Sequence, residues 1–493
     1  MIVVEGPIAT TSYGRLRGVT SGGVKVWRGI PFAAPPVGDL RFRAPQPPES
    51  WDDTRDALEF GPISHQPPDV SGNRYAGLTP EHSEDCLYLN VWAPAEGGKD
   101  LPVMVWIHGG TFITGAGSQP LFDGRRMAER GQLILVTINY RLGPFGFLHL
   151  SHLGEGFASN QGLLDQVAAL EWVQENIAAF GGDPQRVTVF GESAGSMSIA
   201  ALLAMPAAKG LFSGAIMQSG ASQTLRHEQA AAISAALLAE LGISPGGDLQ
   251  ELNLVPAKSI LEAAARMSHK LSGGSLNLFF QPVIDGPSLP ASPEEAVAGG
   301  SAKGIPLLIG TNRDEGYLFF RDESSAGNFE QSLKAFEMIL GIGDISELVR
   351  DYPASWQGQA EIMTDLYFWR SSLTFAESQL AHAPVWMYRY DWTMPGHPLL
   401  SKAVHAAEIY YVFNTLPLLQ RFGLEITPIM ERLADYMQGA WIAFAHRRNP
   451  GTDEMPWPKY TTEDRATLIF DSEPHTVYDP EPEKRKQLIG NRG

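Results

Sequence analysis

Cysteine is almost missing from this chain: one residue, Cys86, stands among 493. A lone cysteine excludes an internal disulfide framework and any all-cysteine metal site, so a buried thiol is its expected state. Long apolar runs are missing as well. None approaches the roughly 18 uninterrupted residues of a membrane-spanning helix, and the opening "MIVVEGPIATTSYGRLRG" has no basic segment followed by an apolar one. A cytoplasmic protein with no membrane partner is therefore expected. Positive charge is scarce, with 37 Lys and Arg against 55 Asp and Glu, and a net charge of −18 disfavours nucleic acid and anionic lipid as partners. Repeats, low-complexity segments and long charge runs are absent too. What is present, 44% hydrophobic and 19% charged residues, suits a globular chain that buries a large core. Length alone would allow several domains, but large α/β enzymes often run as one continuous sheet, and a single domain over 1–493 is expected.

Apolar runs without period-two alternation, "PVMVWIHG" (102–109), "LILVTINY" (133–140), "RVTVFG" (186–191) and "IPLLIGTN" (305–312), read as parallel strands buried on both faces. Between them Leu163, Val167, Leu170, Val173 and Ile177 recur at helical spacing, and Gly181–Gly182 should end that helix. Strands alternating with helices predict an α/β fold with a large, mostly parallel sheet. Residues 13–60, with many prolines, predict antiparallel strands at its N-terminal edge, and residues 325–380 a helical cap.

Two stretches match G-x-S-x-G. In "GISPG" (242–246) the serine follows a helix-like run, so Gly242 reads as a helix C-cap, and Pro245 has no N–H to offer an oxyanion. In "RVTVFGESAGSMSIAALL" the order is reversed. A β-branched strand runs into Ser193 and an Ala- and Leu-rich helix runs out, so the hydroxyl should project from a strained turn at a helix N-terminus. That is a nucleophile's position, and a serine there needs a base, an acid to orient the base, and donors for an oxyanion.

The loops at the carboxyl ends of strands are where such groups belong. "HGGTFITGAGS" follows one strand, and its glycines allow consecutive N–H groups to converge. "GTNRDEGYLFF" follows another and carries Asp314 and Glu315. Five histidines lie downstream: His382, His397, His405, His446 and His475. Pattern alone does not choose among them.

Laid end to end, "GIPFAAPPVGDLRF", "SEDCLYLNVWAP", "WIHGGTF", "NYRLGPFGFL", "NQGLLDQVAALEWVQENIAAFGGDP", "GESAGS", "PVIDG", "DEG" and "HAAEIYYVF" resemble, in order and over nearly the whole chain, the type-B carboxylesterase family, which includes bacterial para-nitrobenzyl esterases and cholinesterases. The resemblance implies an α/β-hydrolase fold with Ser193 as nucleophile, His405 as general base and then acid, and Glu315 as the orienting acid. It implies an oxyanion hole from the N–H groups of Gly110, Thr111 and Ala194, and a supporting hydrogen-bonded pair, Glu192 and Ser219. It pairs Arg41 with Glu84 and Arg141 with Asp165 in structural roles. Three departures qualify it. Thr111 stands where many relatives have glycine, Ser64 where secreted relatives have the partner of the matching cysteine, and Leu318 where cholinesterases stack a quaternary ammonium on an aromatic ring. The last weakens the case for choline esters.

Phe112, Leu276, Leu278, Phe279, Tyr317, Leu318 and Phe319 are candidates to line the acyl and alcohol pockets. The expected function is hydrolysis of uncharged esters of short to medium chain length through an acyl-enzyme, with no cofactor and no metal, by a monomer or weak homo-oligomer whose partner is a small-molecule ester. The alternatives are a lipase-like interfacial esterase and a non-catalytic scaffold of the same fold.

Overall fold

The apolar runs form the middle of an 11-stranded sheet. A computed structural model describes residues 6–69, 74–75, 77–244, 249–272, 278–341, 343–397 and 400–489. In chain order the strands of the large sheet are β1 (Val19–Ser21), β2 (Val24–Pro31), β3 (Tyr88–Pro94), β4 (Leu101–Ile107), β5 (Ile134–Ile138), β6 (Gly182–Glu192), β7 (Gly214–Gln218), β8 (Leu307–Asn312), β9 (Val385–Tyr390), β10 (Ala466–Phe470) and β11 (His475–Tyr478). Across the sheet they lie in the order β11-β10-β9-β8-β7-β6-β4-β5-β3-β2-β1. All neighbours from β10 to β5 are parallel, whereas β1, β2, β3 and β11 pair antiparallel. The Pro-rich N-terminal stretch thus supplies the antiparallel edge. It also supplies a separate three-stranded sheet of Ile8–Thr10, Arg15–Arg17 and Arg55–Asp56.

Strand β4 shows why these runs lack alternation. Val103, Val105 and Ile107 enter one apolar core while Met104 and Trp106 enter another on the opposite face. Side chains alternate across a strand, so a strand covered on both sides must be apolar at every position. The first core is roofed by helices α1 (Gln161–Asn176) and α2 (Ala194–Ala204), the second by α3 (Pro428–Arg447). Helix α1 passes into a 3₁₀ turn, Ile177–Phe180, and stops at Gly181 with φ +93°, a left-handed position that glycine takes without a Cβ penalty. Residues 323–379 are largely helical and include an eight-residue π-helical stretch, Met363–Arg370.

Both expected ion pairs form. Arg141 donates to Asp165 through Nε (2.8 Å) and Nη2 (2.7 Å) in the interior, and Arg41 clasps Glu84 while donating to the carbonyls of Asn253 and Val255. Burial pushes the Cys86 thiol up, and the Ser64 hydroxyl beside it is a hydrogen-bond partner. Among the described residues no helix is long and apolar enough to cross a membrane.

Candidate active site

Strand β6 delivers its last residue, Glu192, to a sharp turn, and α2 starts immediately after Ser193. Ser193 adopts φ +55°, ψ −121°, a conformation costly for a residue with a Cβ and typical of a sharp strand-to-helix turn. The two flanking glycines serve a different need. A Cβ on Gly195 would lie 1.9 Å from the Ile107 carbonyl oxygen, and one on Gly191 would lie 2.6 Å from the same atom. The elbow is packed directly onto the end of β4, and only hydrogen fits in the gap. In the second G-x-S-x-G stretch, Gly242 (φ +73°) closes the helix His227–Glu240, while Pro245 and Gly246 lie outside the described residues.

The loop after β4 runs along the elbow: a Cβ on Gly109 would meet Ser193 Cβ at 3.0 Å and Glu192 Oε2 at 2.6 Å. Gly110, Thr111 and Phe112 all take positive φ, at +115°, +54° and +60°. Carbonyl groups there are tied down, with Gly110 O accepting from the N–H groups of Ile113 and Thr114 and Phe112 O from that of Gly143. The N–H groups of Gly110 and Thr111 donate to no protein acceptor among the described residues, and that of Ala194, the first residue of α2, has no place in the helical ladder. His108 braces the loop. Its Nδ1–H donates to Gly109 O (2.8 Å), its ring stacks on Tyr140 at 4.4 Å, and the Tyr140 hydroxyl donates to His108 O at 2.7 Å. Burial pulls its pKa down to about 4, so this imidazole is neutral.

Glu315 follows β8 and is fully buried. Its Oε1 accepts from the Asn312 N–H (2.7 Å) and its Oε2 meets His405 Nδ1 at 2.5 Å. Asp314 faces the other way, taken up by Arg313 and the Ala403 N–H. The other histidines lie elsewhere: His382, His446 and His475 bond backbone carbonyls of Ala298, Gly131 and Glu473, and His397 Nε2 lies 3.4 Å from Phe422 O. The His405 ring is held between Phe319 (5.2 Å) and Phe368 (4.7 Å), the latter from the π-helical stretch.

Two features depart from expectation. His405 Nε2 makes no hydrogen bond with Ser193 Oγ; it lies 3.0 Å from Glu192 Oε1. With carboxylates near both nitrogens the imidazolium is favoured: burial alone would lower the His405 pKa, but Glu192, Glu315 and, with a smaller effect, Glu408 raise it to about 9. Burial in turn pushes Glu192 up to about 8. Ser219 does not bond Glu192 either. Its backbone, at φ +54°, is fixed by N–H donation to Gly310 O, its hydroxyl has no protein partner, and Glu192 leans towards His405.

Glu408 was not foreseen. It is fully buried, accepts from Gln218 Nε2 (3.0 Å) and Asn312 Nδ2 (2.7 Å), and its charge reaches His405; burial raises its pKa. The signal was there: a carboxylate three residues past His405 heads the apolar run "IYYVF". Of the pocket candidates, Phe112 is 1% exposed and packs on Phe147 in the core, Leu278 and Phe279 are buried, and Tyr317, Leu318 and Phe319 are partly buried around the Glu315 loop. Leu276 lies outside the described residues. Among the described residues no cluster of three or more His, Cys, Asp or Glu side chains is arranged to hold a metal ion.

The sequence profile of the carboxylesterase family matches residues 5–488. The para-nitrobenzyl esterase of Bacillus subtilis (strain 168) is 54% identical over 488 residues, covering 99% of both chains. The phenmedipham hydrolase of Pseudarthrobacter oxydans is 35% identical over 96% of both. A solved structure described as a thermophilic PNB esterase superposes with a TM-score of 0.94 at 52% identity, over 98% of this chain and all of that one.

Proposed function

The chain belongs to the carboxylesterase family, and we infer that its serine esterase chemistry runs through Ser193, His405 and Glu315. The observation that carries this reading is the buried Glu315–His405 pair, 2.5 Å apart, beside a serine held in a strained elbow. Aligned by Glu315, His405 takes the Ser193 proton through Nε2 as the oxygen attacks the ester carbonyl. The alcohol leaves with a proton from the same imidazole, and water repeats the cycle on the acyl-enzyme. The N–H groups of Gly110, Thr111 and Ala194 receive the developing oxyanion, and each donor contributes roughly 3 kcal/mol to transition-state stabilisation. For this, Nε2 must exchange Glu192 Oε1, 3.0 Å away, for Ser193 Oγ; catalytic hydrogen bonds commonly form or tighten only when substrate arrives. Glu192 supports the charged form of the base from 3.0 Å, whereas the Ser219 hydroxyl, unbonded to Glu192, is assigned no part.

The apolar surroundings of the Glu315 loop favour uncharged esters of short to medium chain length. We extend the reading to a cytoplasmic monomer or weak homo-oligomer, supported by the lone thiol with Ser64 beside it, and to one hydrolase domain capped by the helices between residues 323 and 379. Wild-type protein should hydrolyse p-nitrophenyl acetate and butyrate in solution and p-nitrophenyl palmitate poorly. Turnover confined to palmitate emulsions would point to an interfacial lipase, and no turnover of any of the three to a scaffold.

The pH profile provides a second check. A base raised to about 9 becomes competent as pH rises, so kcat/KM should climb through that range. Glu192→Gln removes one of the three carboxylates that raise His405, and the one whose charge acts on it most strongly. The rising limb should then move to lower pH by roughly one unit, read from kcat/KM between pH 6 and 10.

A further inference from the structure

Residues of the loops that carry Glu315 and His405 line a cavity of about 260 Å³, with Tyr317, Leu318, Arg321, Trp356, Lys402 and Val404 in its walls. Val404 precedes His405 and Tyr317 follows Glu315 by two residues, so the cavity lies against both loops that carry the base and its orienting acid. Its walls contain two cations and no carboxylate, in a chain where acids outnumber bases by 55 to 37.

These cations are incompletely matched. Arg321 is exposed, donates from Nε to Leu318 O at 2.8 Å, and forms no ion pair among the described residues. The adjacent Asp322 caps the next helix, with Oδ1 accepting from Ser325 N and the Ser324 hydroxyl. Lys402 Nζ sits 3.9 Å above the Tyr317 ring and 3.9 Å from Asp314 Oδ1. Asp314 already serves Arg313 and the Ala403 N–H, Glu361 accepts from the Tyr317 hydroxyl at 3.2 Å, and Asp365, whose charge also reaches Tyr317, pairs with Lys484 at 3.2 Å. Trp356 meets Tyr317 edge-on at 5.9 Å and adds aromatic surface to the wall. A guanidinium with free donors, an ammonium and aromatic walls fit a flat, apolar group ending in a carboxylate. They repel a quaternary ammonium.

We propose that this cavity binds an aromatic carboxylate beside the reaction centre. The proposal goes beyond the neutral-ester reading of the active site, to which it adds an anionic ligand. The carboxylate is either a substituent of a larger ester or a free acid such as the reaction itself releases.

The test uses full-length protein with 4-carboxybenzyl butyrate and its neutral isostere 4-carbamoylbenzyl butyrate as substrates, and benzoate and benzamide as inhibitors of the neutral ester's hydrolysis. Wild type is compared with R321Q and with R321Q/K402Q. Because both cations are partly solvated, the double variant should lose roughly fivefold in either the charged-to-neutral ratio of kcat/KM or the affinity for benzoate, with benzamide unaffected. A fall in the ratio assigns the carboxylate to the substrate, and a fall in benzoate affinity alone assigns it to a free acid. Both effects should shrink at high salt. R321Q, at an exposed position, should retain half or more of the effect should the double variant fail to fold. An unchanged ratio together with unchanged benzoate affinity would overturn the proposal. Turnover of the neutral ester by wild type tests the esterase reading separately.

Discussion

Ser193→Ala is expected to lower kcat for p-nitrophenyl butyrate by about a million-fold, roughly 8 kcal/mol of barrier, while leaving KM within a few-fold. The size follows from where the oxygen sits. The turn that presents it has φ +55° at Ser193, and the glycines two residues to either side approach the Ile107 carbonyl so closely that neither position can carry a side chain. Alanine keeps the Cβ and therefore the strain, so the variant should fold with a melting temperature near that of the wild type. Residual turnover should be confined to what the oxyanion donors supply unaided. Steady-state kinetics on a preparation shown by mass spectrometry to be free of wild-type enzyme checks the prediction; retention of a hundredth of the activity would remove Ser193 from the nucleophile's role.

Glu315→Gln is expected to cost about 10⁴ in kcat, through a mechanism other than lost charge alone. Glu315 uses both oxygens, Oε1 for the Asn312 N–H and Oε2 for His405 Nδ1. Glutamine has one oxygen. If that oxygen keeps the Asn312 N–H, the amide NH₂ faces Nδ1, which must then accept, and the ring's proton moves to Nε2. In that tautomer Nε2 has no lone pair with which to take the serine proton. Turning the amide over restores the imidazole but leaves the buried Asn312 N–H against an NH₂ group, at a cost of about 1–3 kcal/mol. Either way kcat falls, and Glu315→Asp, which keeps two oxygens on a shorter arm, should recover part of it. Equal activity in the glutamine variant and the wild type would show that Glu315 does not orient the base.

The legibility of the site in the sequence was uneven, for physical reasons. The elbow could be read because its requirements are local: a buried strand, two residues without Cβ atoms, and a helix, all within 18 residues. The strands could be read because burial on both faces erases alternation, as Val103, Met104, Val105 and Trp106 illustrate. His405 could not be separated from four other histidines by pattern, since its loop lies about 90 residues from Glu315 and only the sheet brings them together; family resemblance supplied the choice. Strand β6 starts at Gly182, earlier than the apolar run suggested, because Leu101 of β4 pairs with Gly182. The π-helical stretch that sets Phe368 against His405 carries no sequence mark, and Glu408 was passed over because a charged residue beside an apolar run reads as exposed until its partners, Gln218 and Asn312, are seen. Thr111 occupies a left-handed position, φ +54°, that is costly for a β-branched side chain, and its N–H donates to no protein acceptor among the described residues.

If an imidazole aligned on Glu315 makes the Ser193 hydroxyl reactive, a fluorophosphonate ester should mark it, and peptide mass spectrometry across a range of pH locates the adduct. One adduct per chain is expected, on Ser193, forming at a rate that rises along the same pH limb as kcat/KM and is lost in His405→Ala. An adduct on another residue, or none while ester hydrolysis continues, would contradict the mechanism.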